Sequence, residues 1–112
     1  MTDIPNFEGA RVTVVGLGIE GIDLVRFLTK AGARVTVSDA RSPDTLGDAL
    51  AAIEDTGATL SLGANRVEDT IHADTVYASQ GVPQDLPALA EARRAGVPIS
   101  SMTDLFLRLC PA

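Results

Sequence analysis

Short runs of β-branched residues alternate along the chain with longer segments whose apolar residues recur every three or four positions. The runs predict five strands, at Arg11–Val15, Arg34–Ser38, Thr59–Leu62, Thr75–Ala78 and Val97–Ser100. The segments between them have the period of amphipathic helices. Strands separated by helices indicate right-handed crossovers and a sheet covered by helices on both faces. The predicted fold class is therefore α/β, a three-layer sandwich with a mostly parallel five-stranded sheet.

Capping residues and glycines predict where the helices begin and end. Helices are expected to begin at Ile19, at Pro43 or Asp44, and at Asp85 as an N-cap, with a single weak turn from Arg66 to Ile71. Glycine adopts the left-handed conformation that closes a helix, which predicts ends before Gly32, Gly57 and Gly96. Thr103 is expected to cap a last turn that reaches Leu109. The same periodicity predicts a core of Val12, Val14, Ile22, Val25, Leu28, Val35, Val37, Leu50, Ile53, Val76, Leu89 and Ile99.

The first strand runs directly into a glycine-rich turn, GLGIEG, that opens the first helix. Gly16, Gly18 and Gly21 have the G-x-G-x-x-G spacing of nucleotide-binding loops. In such loops the first glycine permits a tight turn, the second lets a phosphate approach the backbone, and the third lets the helix pack on the strand. The helix N-terminus adds unpaired N–H groups and a positive dipole end. The alternative is a plain strand–helix turn that needs small residues, and Glu20 places a carboxylate inside the loop.

The end of the second strand carries a second candidate. Asp39 lies eighteen residues after Gly21, where a dinucleotide-binding fold places the acid that binds a ribose. A turn or N-cap aspartate is the alternative. Arg41 either flanks the same ligand or is a solvated surface arginine.

The exit of the fourth strand is the third candidate segment. Ser79, Gln80 and Gly81 follow that strand, where they either present backbone N–H groups to a ligand or form a simple tight turn. The predicted binding edge therefore lies at the carboxyl ends of strands one, two and four.

Composition narrows the classes of function. The chain has 112 residues, 46% hydrophobic and 21% charged, as in one ordinary globular domain. Its net charge of −6, with no run of Lys or Arg, argues against a nucleic-acid partner, because nucleic-acid binding needs a basic face. No apolar run approaches the roughly 18 residues of a membrane span, and no basic segment opens the chain. A cytoplasmic protein without a membrane partner is expected.

Side chains suited to catalysis are sparse. Cys110 is the only cysteine, which excludes an internal disulfide and cannot form a zinc site alone. His72 has no metal-ligating residue at a suitable spacing, and no G-x-x-x-x-G-K-[ST] loop is present to hold ATP phosphates. No Ser/His/Asp or Cys/His arrangement is visible either. The sequence therefore predicts no catalytic residue and no metal site.

Several segments in combination resemble the N-terminal domain of the Mur ligases. They are VVGLGIEGIDLVRFLTKAGARVTVSDAR, ASQGVPQDLPALAEARRAGVPIS and TDLFLR, which together span roughly Ala10 to Leu109. The resemblance implies a Rossmann-like fold and a single N-terminal domain over residues 1–112. It also implies that the central ATPase and C-terminal domains of a three-domain ligase follow, since the chain stops just before the family's ATP-binding loop is expected.

The resemblance further implies a binding role in peptidoglycan synthesis. The most similar branch of the family uses ATP and magnesium to activate the carboxylate of UDP-MurNAc-L-Ala, which the amine of D-glutamate then attacks. The N-terminal domain holds the UDP moiety. By resemblance, the diphosphate would lie along Gly18, Ile19, Glu20 and Gly21. The uracil would lie near Asp39, Ala40 and Arg41. The diphosphate and the sugar would also lie near Ser79, Gln80 and Gly81. The isolated domain would be inactive and would need no cofactor, since catalytic lysines and magnesium ligands belong to the other domains.

Two positions depart from the family pattern, which usually has Ser or Thr at Glu20 and Pro at Gln80. Backbone N–H groups capture most of the phosphate, so Glu20 does not abolish the site. A carboxylate in the first turn also stabilises a helix by about 0.3–1 kcal/mol. Glu20 is expected to point to solvent or toward Arg41, and Gln80 to make its turn less rigid.

Two other hypotheses stay open. The chain could be an NAD(H)-binding Rossmann domain of an oxidoreductase or sensor, in which Asp39 holds the adenosine ribose, or a structural α/β domain whose glycines only form turns. The glycine loop and Asp39 cannot separate a UDP site from an NAD site, because both use a diphosphate and an acid. The SxGVP and TDLF segments favour the ligase domain.

Overall fold

The computed structural model describes residues 7–79, 81–102, 104 and 105, and within them five strands form one sheet. The strands are β1 Arg11–Val15, β2 Arg34–Asp39, β3 Thr59–Leu62, β4 Thr75–Ala78 and β5 Ile99–Ser101. Their spatial order is β3-β2-β1-β4-β5, and every pairing is parallel. This arrangement confirms the predicted α/β Rossmann-like fold, with β1 at the centre of the sheet.

Within the described residues, four α-helices connect the strands. They are α1 Ile19–Lys30, α2 Gly47–Ile53, α3 Val67–Ile71 and α4 Pro87–Arg94. The start and end of α1 are confirmed, including the left-handed Gly32 at φ +92°. Gly57 and Gly96 also take positive φ after their helices, as predicted. The weak helical turn expected near Arg66 is α3.

Two helix starts were predicted wrongly. The second helix begins at Gly47 rather than at Pro43 or Asp44. Two tight turns precede it, in which the N–H groups of Thr45 and Leu46 each donate to a carbonyl oxygen three residues earlier. These turns bury Leu46, and the helix then ends in a 3₁₀ turn over Glu54–Thr56.

The fourth helix also starts later than its predicted aspartate cap. Leu86 is the N-cap of α4 and Pro87 takes the first helical position, so Asp85 is not the N-cap. Proline suits that position because it lacks the N–H that would otherwise be unpaired.

Two strand ends also differ from the prediction. Asp39 is the last residue of β2 rather than the residue after it. The fifth strand begins at Ile99, two residues later than predicted. The N–H of Val97 donates to the carbonyl oxygen of Ala92 instead of to the sheet, and Pro98 has no N–H to donate. Thr103, the last turn to Leu109, and Cys110 lie outside the described residues.

The two faces of the sheet are covered by separate apolar clusters. Val12 and Val14 face the cluster that includes α1, whereas Val15, Val76 and Leu89 belong to the cluster on the other face. Nine of the twelve predicted core residues are buried, and Ile22, Leu50 and Ile99 are only partly buried. Core residues missed by the prediction include Phe7, Leu17, Leu24, Leu46, Tyr77, Met102 and Leu105. The helices hold the sheet from both sides and leave its carboxyl edge to the connecting loops.

Candidate functional site

The turns that follow β1, β2 and β4 meet at the carboxyl edge of the sheet, the edge at which open α/β sheets bind ligands. A cleft of about 340 Å³ lies between them. It is lined by Val15, Gly16, Asp39, Ala40, Arg41, Asn65, Ser79, Gly81, Val82 and Pro83. The structure thus brings five of the sequence-predicted residues together in one cleft: Asp39, Ala40, Arg41, Ser79 and Gly81.

The remaining predicted site residues that the structure describes lie at the start of α1 rather than in the cleft. Gly18, Ile19 and Glu20 are exposed at the start of α1, outside the lining of this cleft, and Gly21 is buried beneath them. Gln80 lies outside the described residues. The candidate site therefore has two parts, a cleft and an adjoining helix N-terminus.

Two of the three loop glycines are required by close packing. Gly16 has φ +96°, and a Cβ atom there would lie 3.0 Å from the hydroxyl oxygen of Ser79. A Cβ atom on Gly21 would lie 2.6 Å from the carbonyl oxygen of Gly16, closer than real Cβ contacts come. The turn after β1 is therefore packed against both α1 and the turn after β4, in the roles predicted for these glycines.

Gly18 is different, because it is exposed and a Cβ atom there would meet nothing within 4 Å. It is the N-cap of α1 and offers no side chain to the N–H groups of the first turn. Unpaired N–H groups at a helix start bind water or an anion. Beside it Ile19 is 84% exposed, and Glu20 is exposed in the first turn. This end of the helix is open to a ligand.

Asp39 is the best-connected side chain of the cleft. It is 5% exposed, and its Oδ2 accepts a hydrogen bond from the backbone N–H of Leu17 at 2.8 Å. The guanidinium of Arg41 donates to Oδ2 at 2.8 Å and to Oδ1 at 3.0 Å, and the backbone N–H of Arg41 donates to Oδ1 at 2.9 Å. Four donors therefore fill the roughly four lone-pair positions of the carboxylate.

The same network fixes the glycine turn. Arg41 also donates from Nη2 to the carbonyl oxygen of Leu17 at 3.1 Å, so both polar groups of Leu17 are held by the Asp39–Arg41 pair. Burial on its own would raise the pKa of Asp39, but the hydrogen bonds from the Arg41 side chain and from the Leu17 and Arg41 backbone lower it to about 2. Asp39 is thus ionised at any ordinary pH, and half of the Arg41 side chain remains exposed beside the cleft.

Asn65 is a lining residue that sequence reasoning missed. It follows β3, and its Oδ1 accepts a hydrogen bond at 2.8 Å from the hydroxyl of Ser38, which is fully buried at the end of β2. The rule that ligands bind at carboxyl ends of parallel strands would have found it, if applied to β3 as well.

Two absences concern only the part of the chain that the structure describes. No group of three or more His, Cys, Asp or Glu residues is placed to hold a metal ion there. Within the same residues, no helix has both the length and the apolar character that crossing a bilayer demands.

Comparison with solved structures adds support for the fold alone. A transhydrogenase from Sinorhizobium meliloti superposes with a TM-score of 0.53 at 24% identity, covering 68% of this chain and 21% of its own. An L-tryptophan dehydrogenase from Nostoc punctiforme gives 0.52 at 24% identity, covering 67% and 21%. The carboxyl-edge cleft thus sits on a fold that is shared with dehydrogenases.

Comparison of sequences is more specific. Residues 10–101 match the family model of the Mur ligase MurD-like N-terminal domain. A UDP-N-acetylmuramoylalanine–D-glutamate ligase from Anaeromyxobacter dehalogenans is 44% identical over 93% of this chain, and one from Desulfosudis oleivorans is 40% identical over 90%. The chain spans 22% of the length of each of these relatives. It belongs to the Mur ligase family, as a MurD-like N-terminal domain.

Proposed function

We propose that this domain binds the UDP moiety of UDP-MurNAc-L-Ala for a cytoplasmic ligase that adds D-glutamate during peptidoglycan synthesis. Residues 1–112 form its N-terminal domain. The central and C-terminal domains of the same protein bind ATP and magnesium and supply the catalytic groups. The domain has no activity of its own. The observation that carries the proposal is the cleft at the carboxyl edge of a chain of this family, where the lining residue Gly16 belongs to the same glycine turn as the exposed helix start at Gly18.

The diphosphate is assigned to the start of α1. Gly18 offers no capping side chain and a Cβ atom there would meet nothing within 4 Å, so we place a phosphate at the first-turn N–H groups, where the helix dipole also stabilises it. Ser79 and Gly81 line the facing wall of the cleft and take the diphosphate and sugar. We assign the uracil to the side of the cleft formed by Ala40 and Arg41, where the planar guanidinium of Arg41 is half exposed.

The hydrogen bonds of Asp39 favour this ligand over a dinucleotide. An NAD site needs an acid whose oxygens accept hydrogen bonds from the ribose hydroxyls. Both oxygens of Asp39 are already occupied by Leu17 and Arg41. Binding a ribose there would require breaking a charge-assisted bond, which costs about 1.5–3 kcal/mol. Asp39 is better suited to holding the turn than to holding a ribose.

Parallel titrations of the isotope-labelled chain with UDP, UDP-MurNAc-L-Ala and NADH test the proposal. Amide NMR detects the weak binding that is expected of one domain of a larger site. We expect both uridine ligands to shift the amides of Gly18–Gly21, Ala40, Arg41, Ser79 and Gly81, and NADH to leave them unchanged. Shifts caused by NADH alone would instead identify a cofactor domain.

Replacing Glu20 tests whether its carboxylate points away from the diphosphate or faces it. Because Glu20 is exposed in the first turn of α1, we expect Glu20→Thr to change the dissociation constant for UDP by less than about twofold. The same titration measures it, with Asp23→Asn on the exposed side of α1 as the control. Markedly tighter binding by Glu20→Thr would show that the carboxylate faces the diphosphate and repels it.

A further inference from the structure

The loop after β4 forms one wall of the cleft, and the backbone bonds of its described residues past Ser79 are mainly local turns. Ser79 donates its N–H to Val15, and Val82 donates to Ser79 at 3.1 Å. Past Pro83, the N–H of Leu86 returns to the carbonyl oxygen of Pro83 at 3.2 Å. The bonds of Val82 and Leu86 are local turns within the loop, so the outer part of the loop gains from support elsewhere in the fold.

Arg93, in the last turn of α4, supplies that support. Its Nη1 donates to the backbone carbonyl oxygen of Gln84 at 2.8 Å, and its Nη2 donates to the side-chain Oε1 of Gln84 at 2.7 Å. The guanidinium therefore grips one loop residue at two points, nine positions back along the chain. Both acceptors are neutral, so the bonds depend on the planar two-pronged geometry of arginine rather than on a paired charge.

We propose that Arg93 is a positioning residue, which holds the loop after β4 in the shape that lines the nucleotide cleft. The inference rests on the proposed function, because it takes the cleft to be the UDP site. Arg93 itself is not among the residues that line the cleft. It acts through Gln84, which immediately follows the lining residues Val82 and Pro83.

The neighbouring arginine provides a matched control. Arg94 lies on the same helix turn and is also exposed, but it pairs with Glu91 on its own helix at 3.0 Å. The replacement Arg93→Lys keeps the positive charge and removes the two-pronged grip, and Arg94→Lys makes the same chemical change away from the loop. A third variant, Gln84→Met, removes only the side-chain acceptor.

Two measurements on these chains test the inference. In the ligand-free protein, we expect amide exchange at Val82 and Leu86 to be about threefold faster in Arg93→Lys than in wild type or Arg94→Lys. We expect the dissociation constant for UDP to rise about three- to fivefold in Arg93→Lys, which is the loss of roughly one net hydrogen bond. Gln84→Met should show a smaller rise. The thermal midpoint should be the same for both lysine variants, because both sites are exposed.

Each failure has its own meaning. Unchanged exchange at Val82 and Leu86, or UDP binding that Arg93→Lys leaves at the wild-type level, overturns the positioning role while leaving the UDP site in place. Wild-type protein that does not bind UDP overturns the proposed function, and the inference with it. Equal weakening by Arg93→Lys and Arg94→Lys also overturns the inference, because Arg93 bonds to the loop whereas Arg94 pairs with Glu91 on its own helix.

Discussion

Asp39→Asn is expected to lower the free energy of unfolding by about 2 kcal/mol and to weaken UDP binding about tenfold. The amide can accept from Leu17 or Arg41, but its NH₂ group faces the donors of Arg41 and leaves them unpaired. The loss is smaller than the roughly 3–5 kcal/mol of a fully buried pair, because half of the Arg41 side chain is exposed. Urea denaturation and UDP titration measure the two effects.

Another ion pair, between Arg26 and Asp55, provides the control. Asp55 accepts from Arg26 at 2.7 Å in the same carboxylate–guanidinium chemistry, but 71% of its side chain is exposed and it lies away from the cleft. Asp55→Asn should leave UDP binding unchanged and barely affect unfolding, since exposed pairs contribute little. Equal effects of the two replacements would refute the assignment of Asp39 to the glycine turn.

The contribution of Asp39 is also expected to depend on pH in one direction. Its pKa is about 2 in the folded protein, lowered from an ordinary value of 3.8. A carboxyl group with a lowered folded pKa stabilises the fold fully above its unfolded pKa, and this stabilisation is lost as the pH falls toward the folded value. The difference in unfolding free energy between wild type and Asp39→Asn should therefore be constant above about pH 5 and shrink between about pH 4 and pH 2. A constant difference across that range would contradict the lowered pKa.

Local patterns in the sequence predict most of the fold because they determine it directly. The β-branched run of β1 and the glycine that ends α1 are signals that lie within or next to the element they predict. β1, β3, β4 and α1 accordingly have the predicted bounds. The two wrong helix starts depend instead on longer-range packing. Leu46 is buried in the core, and the helix that follows it starts at Gly47, four residues after Pro43.

Several residues of the cleft could likewise be predicted from local sequence signals, whereas the bonds among them could not. Strand ends and glycine spacing predict Asp39, Arg41, Ser79 and Gly81, because the carboxyl ends of parallel strands must meet at one edge. The bonds among them could not be predicted from spacing. Whether Asp39 accepts from a ligand or from Leu17 depends on how closely the turn after β1 approaches β2, which is a property of the folded backbone. Arg93 was missed for the same reason, because its bonds to Gln84 depend on how the loop after β4 folds back along α4. Asn65 was missed because the strand-end rule was not applied to β3.

Gly21→Ala is expected to lower the free energy of unfolding by about 2 kcal/mol, although alanine is the better helix former by roughly 1 kcal/mol. The added Cβ would lie 2.6 Å from the carbonyl oxygen of Gly16, and that turn has no room to retreat. The N–H of Gly16 is bonded to Ser38 at 2.8 Å, and Ser79 packs against its other side. Overpacking therefore outweighs helix propensity. Chemical denaturation of the variant, with UDP titration on the same sample, measures the loss.

Gly18→Ala separates stability from binding in the same loop. Gly18 has open space around it and a negative φ, so alanine costs less than about 1 kcal/mol as a poorer N-cap. Its methyl group would nevertheless stand where a phosphate approaches the first-turn N–H groups, and UDP binding should weaken about tenfold. Gly21→Ala should reduce stability more than Gly18→Ala does, and Gly18→Ala should reduce binding in a protein that remains folded. If Gly18→Ala binds UDP as wild type does, the diphosphate does not lie at the start of α1, and the binding site is confined to the cleft.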